Sequence, residues 1–321
     1  APLDIAVRLA DLTLDDWLAQ LSQWQTSASK AQSSASSFSL PHPYRVSLHA
    51  SRAQLWEQPL NQLHLSLRPA AHQMQQLDIE AEQVKGRVTF GSQQVLQANF
   101  ERLWLSSLEP NKEKNTAAGQ AEPTFSPQQV PAVQFSCEDC RWQKLALGKV
   151  NFELAPQPKE DSVALRNLYI DGPLLTLQAN GQWLQHSSGN LSRLEWQTST
   201  PSLQRLWQSL DKDSPFSETS AELQGKVRWL DVPWQPQLAT MDGELALSTG
   251  AGVLKEVSDK GAGLLSVVSL ESVMRRLRLD FRDIYAKGFY FDRITASGQL
   301  RNGILRNDDL LLKGAAGDLQ G

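Results

Sequence analysis

Two cysteines three positions apart, Cys137 and Cys140, are the residues of this sequence with the clearest capacity for chemistry. One Cys-x-x-Cys pair cannot complete a tetrahedral zinc site, and the five histidines show no metal-binding spacing that would add ligands. A redox role needs a strand–helix context that the neighbouring residues do not predict. A structural disulfide remains, and it requires a turn at Glu138 and Asp139, because residues three apart in an extended strand are too distant to bond.

The carboxylates of Asp280, Asp283 and Asp292 could be imagined as an acid–base set. Each has an arginine one or two positions away, so cross-strand ion pairing on a solvated face is the simpler interpretation. The run Gly250-Ala-Gly252 is not a dinucleotide fingerprint, because Lys255 stands where the third glycine should be, and it indicates a bulge or turn. A Gly-x-Ser-x-Gly nucleophile elbow does not occur in the sequence. We therefore predict no catalytic residue, no metal site and no cofactor.

Length and charge exclude several classes of protein. The chain has 321 residues and a formal net charge of −4, which gives no electrostatic footprint for nucleic acid. Its first residues do not begin a signal peptide, and no apolar run reaches the roughly 20 residues that span a bilayer. The last residues, 316–321, read as a strand cut short, so we expect a fragment of a longer protein.

Polar residues alternate with leucine and valine across most of the chain, and this period of two predicts strands with one wet and one dry face. The fold class that we predict is mainly β, an antiparallel sheet with a few short amphipathic helices. Period two does not distinguish a closed sandwich from a sheet that curls and leaves an apolar trough. The in-phase apolar positions are Leu63, Leu65, Leu67, Leu77, Ile79, Val150, Phe152, Leu154, Leu168, Ile170, Leu175 and Leu177.

The pattern repeats within the chain. Shifted by 87 positions (156 − 69), the segment Ala50–Pro69 falls on Cys137–Pro156 without a gap, and the phase of the alternation matches. Ala50 and Ala53 then stand where the two cysteines are, which favours a structural bridge over chemistry. A repeated β unit is typical of solenoid-like architectures.

Composition shifts divide the chain into seven segments. The strongest single signal is Asn302-Gly303 between Leu300 and Ile304, which predicts a tight hairpin. The predicted segments are an amphipathic helix in 1–25, a linker at 26–43, a first β unit at 44–108, a mobile loop at 109–131, a second β unit at 132–199, a helix and spacer at 200–220, and a third β unit at 221–321 that contains a helix at 263–277.

The run RRLRLDFRDIYAKGFYFDRI, from Arg275 to Ile294, is followed by the Asn-Gly hairpin and by an Asp-Asp-Leu strand. This succession resembles the C-terminal signature of the YhdP branch of the AsmA-like family, which are long envelope proteins of Gram-negative bacteria. It covers about a quarter of the chain closely, and the rest fits more loosely. The family resembles bridge-like lipid transfer proteins, so the likeness implies a sheet rolled into a hydrophobic groove, a β-taco, rather than a sandwich.

The resemblance also implies a function. It implies that the chain lies in the periplasm, where an oxidising environment permits the disulfide, with an inner-membrane anchor outside the chain. The implied ligands are glycerophospholipids, whose tails the in-phase apolar residues would hold, and the implied partners are membranes at the two ends of the full-length protein. A structural module of the envelope that binds a protein partner is the alternative. An enzyme on a β-solenoid would need a carboxylate pair in a cleft, and the sequence offers no persuasive pair.

Overall fold

In a computed structural model, the described residues form two compact units that are dominated by β-strands. Unit 1 comprises residues 1–124 and 132–143, and unit 2 comprises residues 125–131 and 144–321. These bounds differ from the predicted segments, because the strand at 133–142 groups with the first unit. The structure describes residues 3–15, 44–55, 58–71, 74–91, 94–106, 126–217, 219–254, 289–307, 309–314 and 318–320.

Unit 1 contains seven described strands, which pair in chain order. Four pairs are antiparallel, as predicted, whereas the first and last are parallel, so the sheet of this unit is mixed. Both parallel pairs are separated in sequence by a long connection, which parallel strands need. The strands are β1 (Leu3–Thr13), β2 (Tyr44–Leu55), β3 (Gln58–Pro69), β4 (Gln75–Glu80), β5 (Val84–Phe90), β6 (Leu96–Leu105) and β7 (Val133–Trp142).

The main strands of unit 2 pair antiparallel in the order β8, β9, β10, β11, β13, β14, β17. Strands β18 and β19 both pair with β17, and β20 pairs with β19. A separate small sheet joins β12, β15 and β16. The strands are β8 (Leu145–Gln157), β9 (Ser162–Asp171), β10 (Thr176–His186), β11 (Gly189–Thr200), β12 (Phe216–Ser217), β13 (Ala221–Trp229), β14 (Asp242–Thr249), β15 (Gly252–Leu254), β16 (Phe289–Phe291), β17 (Arg293–Arg301), β18 (Ile304–Arg306), β19 (Leu311–Lys313) and β20 (Leu319–Gln320).

The segment 1–25, for which we predict an amphipathic helix, begins with a strand that was not predicted. In β1, Leu3, Ile5, Val7 and Leu9 alternate with polar or small residues, and this period of two pairs the segment with β2. Helical backbone begins only at residues 14–15. The rest of the predicted helix, the linker, most of the predicted loop and the helix at 263–277 lie outside the described residues.

The helix that we predicted within 200–220 is present as α1, Leu203–Ser209. Its N-cap is Ser202, whose side-chain oxygen accepts a hydrogen bond from the backbone N–H of Arg205. We predict Pro201 in the first turn of this helix, but it precedes the N-cap. The predicted spacer that follows contains the short strand β12.

The predicted repeat coincides with matching elements. Strands β2 and β3 are separated by two residues, as are β7 and β8, and the 87-residue shift carries the end of β2 and the start of β3 onto the end of β7 and the start of β8. Ala50 and Ala53 are both buried, as are Cys137 and Cys140, although residues three apart on a regular strand face opposite sides. In both strands, therefore, the alternation of side chains between the two faces is interrupted at the same point of the repeat.

A disulfide joins Cys137 and Cys140 within β7, with their Cα atoms 5.9 Å apart. Three steps of extended strand would separate these atoms by about 10 Å. The backbone at Glu138 and Asp139 is therefore compressed, as the bond requires, but β7 continues through it without a chain reversal. The disulfide thus joins two side chains that both face the buried side of the sheet. In β2 the small residues Ala50 and Ala53 occupy the corresponding buried positions.

The Asn302-Gly303 turn between β17 and β18 has the geometry that the sequence predicts. Both residues have positive φ, 48° and 76°, which is the two-residue turn that matches strand twist. A Cβ atom on Gly303 would lie 2.3 Å from the carbonyl oxygen of Leu238, so only glycine fits against the loop before β14. The Asp242 carboxylate accepts a hydrogen bond from the backbone N–H of Asn302 at 2.9 Å.

This turn should be sensitive to acid. The hydrogen bond from Asn302, together with one from Arg228, lowers the pKa of Asp242 below its usual 3.8. A lowered folded-state pKa gives a stabilisation that is complete above about pH 4 and is lost as the pH falls through that lower value. We expect the amide proton resonance of Asn302 to move in NMR spectra as the pH falls below about 4, and not to move in Asp242→Asn. An unchanged resonance in the natural sequence, or equal movement in both proteins, would contradict this prediction.

Candidate functional site

The predicted apolar residues of unit 1 lie side by side on one face of its sheet. Leu65 stands opposite Leu48 of β2 and Ile79 of β4, while Leu67 stands opposite Val46 and Leu77. The row continues through β5 and β6, where Val88 pairs with Ala98. The sequence prediction thus placed separate strands in the correct common phase.

Packing on this face is uneven along the strands. At one end, Leu63 is 1% exposed within a cluster of buried residues that includes Leu12, Ala53, Leu60 and Val84. Towards the other end of β3, Leu65 and Leu67 are only half-buried, as are their partners on β4. All seven described strands of this unit belong to the same succession of paired strands, so the described part of unit 1 itself supplies no second sheet to cover this face. The apolar surface is closed at one end and accessible along the rest.

The opposite face of unit 1 is polar and ion-paired. Asp78 accepts a hydrogen bond from Arg87 at 2.7 Å, and Arg68 lies 3.5 Å from the same carboxylate. Trp104 is also on this face, where its ring stacks with Arg141 and its indole N–H donates to Asp139 at 2.9 Å. Trp104 is therefore excluded from the apolar row. Exposed pairs of this kind contribute about 0–1 kcal/mol each and are typical of a solvated surface.

Unit 2 continues the same design on β8, β9 and β10. Ile170 stands between Val150 and Leu177, its partners on either side, and Leu168 pairs with Ala179. Leu154 pairs with Leu165, and Phe152 lies beside the register shift of β8 and β9. Leu175 is the exception, because it precedes β10 in the turn, where its carbonyl accepts a hydrogen bond from Gly172.

Sequence reasoning missed the extension of this apolar face across β11, β13, β14 and β17. Leu194 is the cross-strand neighbour of Gly181 on one side and of Val227 on the other. Gly243 is likewise the neighbour of Val227 and of Leu300. A cluster around Val227, Trp229 and Leu300 holds this part together. Strand alternation around Leu194, Val227 and Leu245 was the signal that could have identified these residues.

The alternative chemistries find no support among the described residues. There, no group of three or more histidine, cysteine, aspartate or glutamate side chains is placed to hold a metal ion. His49 and His64 face each other across two strands with their ring centres 6.2 Å apart. Asp292 lies between β16 and β17, where its backbone N–H donates to Lys313, whereas Asp280 and Asp283 lie outside the described residues.

A family model described as YhdP protein matches residues 1–321, the whole chain. The chain belongs to the YhdP family. A curated YhdP-family protein, the intermembrane phospholipid transporter YhdP of Escherichia coli strain K12, is 24% identical over 308 residues. The match covers 95% of this chain but 24% of the relative, so the chain spans about a quarter of that protein's length. No solved structure matches the chain.

Membership of the YhdP family agrees with the signature that begins at Arg275 and continues through the Asn-Gly hairpin to the Asp-Asp-Leu strand. The described end of the signature packs in a cluster of Leu254, Phe289, Phe291, Ile294 and Leu312. Its aromatic residues therefore join the small sheet to β17 and β19, which is a structural role. None of the helices in the described part of this YhdP-family chain is long and apolar enough to span a membrane.

Proposed function

We propose that this chain is a periplasmic segment of an intermembrane phospholipid transporter, and that the apolar faces of its two units hold the acyl tails of glycerophospholipids. The observation that carries the proposal is the one-sided face of unit 1, in which Leu65, Leu67 and their partners are apolar, contiguous and only half-buried. Each methylene group that leaves water on such a surface contributes about 0.8 kcal/mol. Binding therefore needs no catalytic residue, and the proposed role is not enzymatic.

The apolar face and the water beyond its strand ends account for the two ends of a phospholipid. Tails can lie along the apolar face, while headgroups stay in water beyond the strand ends, as a curled groove would allow. The function named for the Escherichia coli relative supports this assignment, because the match covers nearly the whole of this chain. The inner-membrane anchor and the membranes at the two ends belong to the full-length protein in this proposal.

Photo-crosslinking along β3 tests the proposal. We expect a photoreactive residue at Leu65 to form phospholipid adducts in cells, and one at His64, its neighbour on the polar face, to form none. Leu177 and Gln178 are the matched pair in unit 2. Adducts at neither member of a pair would favour the envelope interaction module, and equal adducts at both would indicate loose surface association.

A further inference from the structure

The apolar face of unit 2 ends in a cavity of about 490 Å³. Its floor is formed by β9, β10, β11 and β13, through Leu165, Trp183, Leu194 and Trp229. Almost all of the surface that lines it is apolar. The volume is within the range of about 300–1,000 Å³ that small-molecule sites occupy, so this end of the face is a pocket of ligand size.

Two segments outside these strands form the walls. On one side, Val130 follows the 3-10 turn Pro127–Gln129, which lies against β8, β9 and β10 and in which Pro127 is almost fully buried. On the other side, Pro233 and Trp234 project from the connection between β13 and β14. The ring of Trp234 meets that of Trp183 edge to face, with the ring centres 5.3 Å apart. Trp234 nevertheless remains 56% exposed, so it stands between the cavity and the solvent.

The Trp234 wall is held in place by hydrogen bonds at its base. Ser192, which is 1% exposed, donates its hydroxyl to the carbonyl of Asp231 at 2.7 Å. The indole N–H of Trp229 donates to the carbonyl of Val232 at 3.1 Å. Gln237 closes the segment by donating to the Asp231 carboxylate at 2.8 Å. The wall is therefore built into the fold, and the cavity exists without a ligand.

The polar atoms of the floor are already satisfied. The indole N–H of Trp183 donates to the side chain of Asn190 at 3.0 Å, and that of Trp229 donates to Val232. Gln182 and Arg193 pair with each other between the apolar rows, so by strand alternation their side chains belong to the opposite face. An apolar cavity of this kind gives water few partners and favours an apolar guest.

We propose that this cavity is a terminal subsite for a single phospholipid acyl chain, which holds the methyl end of the tail between Val130 and Trp234. This inference rests on the proposed function and gives the apolar face of unit 2 a closed end. The cavity volume of about 490 Å³ has room for the end of one such tail. The cavity does not suit a headgroup, because almost all of the surface that lines it is apolar.

The test uses the whole chain and a phosphatidylglycerol probe that carries a photoreactive diazirine at the methyl end of one acyl chain. We expect adducts on Trp183 or Trp234, and we expect Val130→Trp, which fills the cavity from its wall, to lower this labelling at least tenfold. Leu238→Trp is the matched control, because this residue is 49% exposed on the Trp234 connection and does not line the cavity. A probe with the diazirine beside the glycerol should leave the cavity unlabelled.

The outcomes separate this inference from the proposed function. Labelling near Leu65 and Leu177 with none in the cavity would overturn the subsite and leave the proposed function standing. Cavity labelling that persists in Val130→Trp would also overturn it. Labelling nowhere on the chain would overturn both. If Val130→Trp does not fold, Trp234→Ala decides the case, because loss of this wall should lower labelling of Trp183 several-fold, while Tyr290→Ala, an exposed aromatic residue outside the cavity, leaves it unchanged.

Discussion

Replacing Leu63 with alanine in the lipid-free chain should lower the free energy of local unfolding of unit 1 by about 2–5 kcal/mol. This side chain is 1% exposed and packs within the buried cluster of unit 1, so its truncation leaves a cavity there. Leu67→Ala, four residues further along the same face, should cost only about 1 kcal/mol, because that side chain is already partly exposed to water.

Hydrogen exchange of the β3 amides is the suitable measurement. A chain with two compact units need not unfold in a single step, so a global denaturation midpoint would mix their contributions. We expect protection of β3 to fall steeply in Leu63→Ala and slightly in Leu67→Ala. Equal losses at the two positions would mean that the face is packed along its whole length, as in a closed sandwich.

The sequence was sufficient to predict the phase of the strands but not their partners. Leu65, Ile79 and Val150 are placed correctly because side chains on strands alternate whatever lies beside them. This period of two is the same whether the neighbouring strand is parallel or antiparallel. For that reason the parallel pairing of β1 with β2, and of β6 with β7, was not predicted.

The errors in element type have local causes. The segment from Leu3 to Leu9 has a clear period of two, but the helical spacing that follows Leu12 was the only signal that we used for residues 1–25. Leu175 is two residues before Leu177, so strict alternation assigns both to the same face. Gly172 and Pro173, however, turn the chain before β10 begins. In both places periodicity located the apolar residues and misjudged where the strand begins or ends.

The cavity of unit 2 could not have been derived from the sequence. Its floor combines residues of four strands, and one of its walls comes from the Pro- and Gln-rich connection at 230–241, which has no periodic signal. The position of Trp234 over Trp183 depends on hydrogen bonds between distant residues, such as Ser192 with Asp231. Contacts of this kind are specified only by the assembled sheet.

A single charge on the open part of the apolar face should abolish lipid binding without unfolding the sheet. Leu67→Glu places a carboxylate where the side chain is half-buried, so in the lipid-free chain it can remain in contact with water. An acyl chain that covered this position would strip water from the carboxylate, and an uncompensated charge in an apolar environment costs several kcal/mol. We therefore expect phospholipid recovered with the purified protein to fall at least tenfold if the tails pass over Leu67.

Ser47→Glu is the matched control, because it adds the same charge to the polar face of the neighbouring strand, where Ser47 pairs with Ser66. This variant should retain its phospholipid, and the hydrogen exchange of β3 should be similar in both variants. Undiminished phospholipid in Leu67→Glu would show that the tails do not lie on this part of the face. Equal depletion in the two variants would instead show that negative charge repels the headgroups from either side of the sheet, and the one-sided tail-binding face would then lose its support.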